Sequence, residues 1–170
     1  ESRRYRGGPK VKPGEYSILL NVDGTSYTQK VKVLADPRIK AAGVTPEDLV
    51  AQEKLALQVR DLQDTCRKMA ENVTVMKKEL QKTVKEGKAD DKVKNQMERL
   101  SVLEKELVTE EGTYMTPMLV DQLNYLASML DQADQRPGKD AYDRYEELKT
   151  RAEKVVSAFR GLAQSPSGSN

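Results

Sequence analysis

Residues 46–86 read PEDLVAQEKLALQVRDLQDTCRKMAENVTVMKKELQKTVKE, and the spacing inside this stretch decides the fold. Leu55, Val59, Leu62, Cys66, Met69, Val73, Met76 and Leu80 recur at alternating steps of four and three. That is a heptad stripe on a helix, which packs lengthwise against partners at a shallow crossing angle. At about 1.5 Å per residue such a helix spans roughly 60 Å. Thr45 suits the cap, Pro46 the first helical position, and Glu47 and Asp48 the positive end of the helix dipole. Gly87 ends it. Val73 lies in the stripe. Lys77 falls one step past Met76 and is expected on the solvated side.

Three more helices are predicted downstream. Residues 90–110 carry Val93, Met97, Leu100, Leu103 and Leu107 at helical spacing, and Gly112 breaks the pattern. Thr116-Pro117 opens a helix to residue 133, with Leu119, Val120, Leu123, Leu126, Ala127 and Leu130 inward. Arg136-Pro137-Gly138 interrupts again. Residues 139–162 then place Tyr142, Tyr145, Leu148, Ala152, Val155, Phe159 and Leu162 on one face. The second and third helices together match the first in length. They either cover its two halves or fold back beside one another. The expected fold is mainly α: an elongated antiparallel bundle of three to four helices with a long first helix.

Upstream the period changes from 3.6 to 2. Pro13-Gly14 is a turn signal. Tyr16, Ile18 and Leu20 alternate with Ser17, Leu19 and Asn21. Asp23-Gly24 makes a hairpin turn, because both positions tolerate a positive φ. On the return strand Tyr27, Gln29, Val31 and Val33 share one face, and Thr28, Lys30 and Lys32 share the other. Such alternation predicts one buried and one wet face. Two strands alone are marginal in water. The hairpin therefore folds against the helices, or it closes an Ig-like β-sandwich whose earlier strands lie upstream of Glu1. The second alternative fits a chain that opens at Glu1 within an extended segment, as a fragment of a longer protein does. The domain reading is a closing hairpin at 1–36, a connector at 37–45, a helical bundle at 46–163 and a disordered tail at 164–170.

Composition narrows the chemistry. Charged residues make up 33% of the 170 and aromatic ones 5%, with no Trp and one Phe. Few large rings with many Lys, Glu, Leu and Ala suit long helices with narrow apolar stripes. No apolar run approaches about 20 residues, so no membrane span is expected. The single cysteine, Cys66, rules out a disulfide scaffold, and the absence of His removes His-based triads and zinc sites. Residues 1–45 carry a net charge of +5 within an overall +2. No aromatic-plus-basic platform accompanies it, so no nucleic-acid partner is expected.

No catalytic, cofactor-binding or metal residues are assigned. The acids Asp61, Asp64, Glu104, Glu106, Glu110, Glu111, Asp140, Asp143, Glu146 and Glu147 lie off the apolar stripes. They read as a solvated surface with Lys and Arg partners rather than the convergent pair that a glycosidase needs. Cys66 sits at an inward heptad position, as a small apolar filler. Asn72-Val73-Thr74 matches a glycosylation sequon but falls inside the long helix. Met69, Met76, Met97, Met115, Met118 and Met129 read as core filler, with an adaptable binding groove as the alternative. Tyr125, Tyr142 and Tyr145 read as amphipathic packing near a bundle end.

The segments Pro13-Gly14-Glu15-Tyr16, Asp23-Gly24, Tyr27-Thr28-Gln29 and Val33-Leu34-Ala35-Asp36-Pro37-Arg38 resemble a known arrangement. They are similar to the closing hairpin of the β-sandwich in large bacterial sortilin-like (VPS10-type, BNR-repeat) β-propeller proteins, often labelled glycosyl hydrolase-like. Glu47-Asp48-Leu49-Val50-Ala51-Gln52 resembles the start of the helical C-terminal region in that family. Thr116-Pro117-Met118-Leu119 to Asp134 and Arg136-Pro137-Gly138-Lys139-Asp140-Ala141-Tyr142 resemble its end. The resemblance implies a periplasmic or extracellular protein with propeller and sandwich domains upstream. Any ligand site would lie on that propeller, so no functional residue carries over. The expected role is a non-catalytic C-terminal structural or interaction module. Its partners would be those upstream domains, with a further protein partner or self-association possible. The alternatives are a helical adaptor with a Met-lined groove and an accessory piece of a carbohydrate-active hydrolase.

Overall fold

The computed structural model describes residues 8–87 and 90–163. Two strands, β1 (Gly14–Val22) and β2 (Thr25–Val33), pair antiparallel. Five helices follow: α1 (Pro37–Ala41), α2 (Pro46–Lys85), α3 (Asp91–Leu107), α4 (Leu119–Asp131) and α5 (Lys139–Ala163). The chain is mainly helical, as its periodicity predicts. The expected disordered tail at 164–170 and the first seven residues of the hairpin segment lie outside the described residues.

The long helix is the floor of the bundle. Leu55, Val59 and Val73 are fully buried, Cys66 is nearly so, and Leu62, Met69, Met76 and Leu80 pack against them. This is the heptad stripe in its predicted register. α3 runs back along the C-terminal half of α2, where Lys77 pairs with Glu104. α4 continues along the N-terminal half, where the Gln63 amide donates to Asn124 Oδ1. α5 returns in the third position and buries Tyr145, Leu148, Ala152, Val155 and Leu162. Of the two arrangements left open by helix lengths, the bundle therefore adopts the one in which α3 and α4 cover successive halves of α2.

Local chemistry sets the helix ends. Thr45 and Asp48 form a reciprocal capping box at α2. Thr45 Oγ1 accepts from the Asp48 amide at 3.2 Å, and Asp48 Oδ2 accepts from the Thr45 amide at 3.0 Å. At the far end Gly87 takes φ +75°, the left-handed position that closes a helix. The connector at 37–45 is not plain coil. Asp36 accepts from the Arg38 amide at 2.8 Å and Pro37 takes the first position, so residues 37–41 form the short α1.

Two boundaries differ from the sequence reading. α3 stops at Leu107 rather than 110, and α4 starts at Leu119 rather than at Thr116-Pro117. The cause is Thr109, whose hydroxyl accepts the Met118 amide at 2.9 Å and donates to Asp121. Met118, at the cap position of α4, has no side chain that can cap. Thr109, nine residues upstream, instead ties the Met118 amide to the Asp121 carboxylate and holds the α3–α4 break in shape. From α5, Arg151 reaches across the same break to Gln122 at 2.8 Å and Glu106 at 3.5 Å.

Gln52 is the one buried polar side chain among the described residues. Its amide nitrogen donates to the Leu130 and Ala133 carbonyls, each at 2.6 Å, and its oxygen accepts from the Gln135 amide at 3.2 Å. Three backbone groups freed where α4 ends are thus satisfied by one side chain on α2. Lys77 corrects an expectation. Its side chain is only 18% exposed because the ammonium folds onto Glu104.

Urea melts of point variants test this packing. Val73→Asp is expected to lose on the order of 3 kcal/mol or more, and the exposed Lys78→Asp less than about 1. Lys77→Asp should fall between them, since it sets two carboxylates side by side. Equal losses at 73 and 78 would contradict the register. Gln52→Ala should cost about 2–3 kcal/mol by orphaning buried backbone groups, whereas the exposed Gln58→Ala should stay within about 0.5.

Candidate functional site

The hairpin is built as its sequence dictates. Asp23 and Gly24 take φ +49° and +82°, the paired left-handed conformations of a two-residue turn whose twist matches the strands. Tyr16 lies opposite Val31, Ile18 opposite Gln29, and Leu20 opposite Tyr27. Cross-strand partners share a face, so Tyr16, Ile18, Leu20, Tyr27 and Val31 line one side. That face was expected to be buried, and within this chain it is not. Ile18 and Leu20 are each 57% exposed, Tyr27 59% and Val31 38%. Neither strand packs on a helix. The reason is geometric: only the hairpin's base meets the bundle, and the strands project beyond it. Tyr16, near the base, is half-buried and donates its hydroxyl proton to the Lys12 carbonyl at 2.6 Å.

Below the hairpin lies a cleft of about 890 Å³ between its base and the α2–α4 surface. Its floor carries Leu49, Ala56 and Ala127, and its wall Val33, Leu34 and Ile39. Two straps cross the mouth. Lys10 Nζ meets Asp134 at 3.3 Å and the Asp131 carbonyl at 3.0 Å, and Lys12 Nζ meets Glu53 at 3.2 Å. At the far end Asn124 Oδ1 accepts from both Gln63 and Arg67. Every one of these polar groups is already engaged within the chain, and none forms a nucleophile–base pair.

The carboxylates behave as the sequence suggests. Asp61 pairs with Arg60, Asp64 with Lys68, Glu104 with Lys77 and Glu106 with Arg151. Glu110 pairs with Lys105, Asp143 with Lys139, Glu146 with Lys149 and Glu147 with Arg144. Several are helix neighbours three or four residues apart, a pattern that contributes a few tenths of a kcal/mol each. Glu111 lies exposed in the α3–α4 link and Asp140 in the first turn of α5. Among the described residues no cluster of three or more His, Cys, Asp or Glu can hold a metal ion.

The remaining singled-out residues divide. Cys66 is 1% exposed, and burial pushes its thiol up to about 11, so it stays protonated at neutral pH. Asn72 sits on regular α2 backbone, and Thr74 Oγ1 is turned onto the Ala70 carbonyl at 2.9 Å. Met69 and Met76 fill the core, whereas Met115 and Met129 are surface residues. Tyr145 is buried, and that burial raises its hydroxyl pKa. Tyr142 and Tyr125 are not packed as expected. They are 40% and 69% exposed, and Tyr125 lines a second hollow of about 450 Å³ between α4 and the start of α5, with Gln52 and Leu126. Among the described residues no helix is long and apolar enough to cross a membrane.

Comparison with protein-family models, with curated proteins and with solved structures finds no match to this chain.

The capping carboxylates give the molecule its acid response. Asp48 is held below its ordinary 3.8 by the Thr45 amide and hydroxyl and by Arg136, and Asp36 is lowered by Arg38. A lowered folded pKa adds stability that is fully present above 3.8 and is lost as pH falls through the folded value. Melting temperatures should therefore begin to drop below about pH 4. Asp48→Asn should lower the melting temperature at pH 7 and flatten its acid decline. An unchanged acid decline in that variant would remove Asp48 from the account.

Proposed function

We propose that this chain is a non-catalytic structural and interaction module of a larger secreted β-propeller protein. In this reading the hairpin completes a β-sandwich, and the helical bundle serves as the rigid body on which that sandwich is mounted. The observation that carries it is the uncovered face of Ile18, Leu20, Tyr27 and Val31 on a two-stranded sheet. Two strands with an apolar face need a further sheet or helix to be stable, and the bundle does not cover that face. The resemblance of Pro13-Gly14-Glu15-Tyr16 through Asp36-Pro37-Arg38 to the closing hairpin of sortilin-like proteins supports the same reading. It also carries the proposed periplasmic or extracellular location. With eight acids tied in ion pairs, nothing favours a hydrolytic cleft in this segment.

A second reading has its own observation. Tyr125 and Met129 are exposed and line the α4–α5 hollow together with Arg136 and Arg144. Aromatic, Met and Arg side chains are the types enriched where proteins bind one another. That favours a helical adaptor whose partner sits on α4 and α5.

Tyrosine nitration separates the two. In the 170-residue chain Tyr27 and Tyr125 should both react readily. In the longer polypeptide Tyr27 should react at least about ten-fold more slowly while Tyr125 stays reactive, if the sandwich reading holds. Shielding of Tyr125 alone, by an added protein partner, would replace it with the adaptor. Equal Tyr27 rates in both forms would refute the sandwich.

A further inference from the structure

We infer that β1 is the strand to which the rest of the sheet adds, and that β2 is the outer edge. The inference rests on the proposed sandwich, since a larger polypeptide supplies the added strand. The hairpin's register fixes which backbone groups face outward. Val22 and Thr25 flank the two-residue turn and are a hydrogen-bonded pair, and bonded pairs recur at every second position. The intervening pairs are Asn21–Ser26, Leu19–Thr28, Ser17–Lys30 and Glu15–Lys32. Their amides and carbonyls point away from the hairpin, those of β1 to one side and those of β2 to the other. Among the described residues no third strand occupies either side.

The two edges differ in chemistry. Between Glu15 and Asp23, β1 holds no charge and reads Tyr-Ser-Ile-Leu-Leu-Asn-Val. Leu19 is 60% exposed even on the face opposite Ile18 and Leu20. β2 carries Lys30 and Lys32 at outward-bonding positions, and exposed lysines are how sheet edges are kept from pairing. A strand without charge between Glu15 and Asp23 is free to pair along its edge, and a lysine-bearing one is what a border looks like.

The occupant follows from size and charge. The hairpin is about 30 Å long and about 10 Å wide, so its face offers roughly 300 Å². A stable complex between separate molecules needs about 800 Å² from each side. A tethered strand meets β1 at millimolar effective concentration, and a small contact then suffices. A second copy fits poorly. Antiparallel self-pairing along the whole of β1 is centred on Ile18 and sets Glu15 against Asn21, so two copies would bring together only the same roughly 300 Å² from each side, with no charge pair to add to it. The occupant is therefore an extended segment of the same larger polypeptide. It is apolar at alternate positions and carries a neutral or basic residue opposite Glu15.

Amide hydrogen exchange, residue by residue, tests this in both the 170-residue chain and the longer polypeptide. In the longer form the Ser17, Leu19 and Asn21 amides should exchange at least about 100-fold more slowly than those of Ser26, Thr28 and Lys30. In the short form all six should exchange fast. Protection of the β2 set instead overturns the assignment. Protection of the β1 set in the short form, or protection that grows with protein concentration, means a second copy and also overturns it. If Tyr27 is shielded from nitration while all six amides exchange fast, the sandwich reading stands and the strand addition fails. A proline pair guards against a merely structural effect. Leu19→Pro and Thr28→Pro occupy facing outward positions and cost the hairpin alike. In the longer polypeptide Leu19→Pro should lower the melting temperature clearly more than Thr28→Pro, and equal shifts count against the inference.

Discussion

Everything in the bundle answers to the length of the stripe on α2. A 40-residue helix with an apolar seam from Leu55 to Leu80 needs more cover than one ordinary helix gives. The chain meets that need with two helices in series, α3 over one half and α4 over the other, and with α5 along the third side. The interruption at 108–118 follows from this arrangement. It creates a helix end in the middle of the molecule, and Thr109 and Arg151 tie that end to its neighbours. Heptad spacing thus determines the helix lengths, the position of the break and the polar groups the break requires.

Most of the polar links that shape the bundle close a backbone end or bridge two helices, while Thr74 and Ser101 turn back onto carbonyls of their own helices. Gln52 holds the last turn of α4, the Thr45–Asp48 box holds the first turn of α2, and Lys77 with Glu104 joins α2 to α3. No buried side-chain nitrogen or oxygen among the described residues lacks a partner. A fully satisfied interior leaves no poised acid, base or thiolate. Cys66 illustrates the point, since the burial that makes it good core filler also keeps its thiol protonated. The open chemistry lies outside the bundle, on the hairpin face and at the α4–α5 hollow.

How much was legible from sequence depended on the range of the forces involved. The α2 stripe, the cap at Thr45, the stop at Gly87 and the Asp23-Gly24 turn are local, and spacing alone located them. The start of α4 was misplaced because the Met118 amide is held by Thr109, nine residues upstream, where no window of helical periodicity looks. Lys77 was read as solvated because its partner Glu104 sits on another helix. Tyr125 and Tyr142 were read as packed because spacing shows which side of a helix a residue takes, not whether a neighbouring helix reaches it. The hairpin's alternation correctly marked an apolar face. Strand pattern alone does not say what covers such a face, and among the described residues nothing does.

The stripe also sets a length. The hairpin sits at the start of α2, and the α2–α3 turn lies 40 residues further on, roughly 60 Å away at helical rise. Whatever the hairpin holds is kept that far from whatever meets the turn. The heptad register quantises the distance. An insertion of one or two residues in α2 rotates the seam away from α3, whereas seven restore it. Each seven-residue addition to α2 needs a matching seven in α3 or α4 to keep the seam covered. Related molecules of different reach should therefore differ in paired steps of about 10 Å, with the hairpin unchanged at one end.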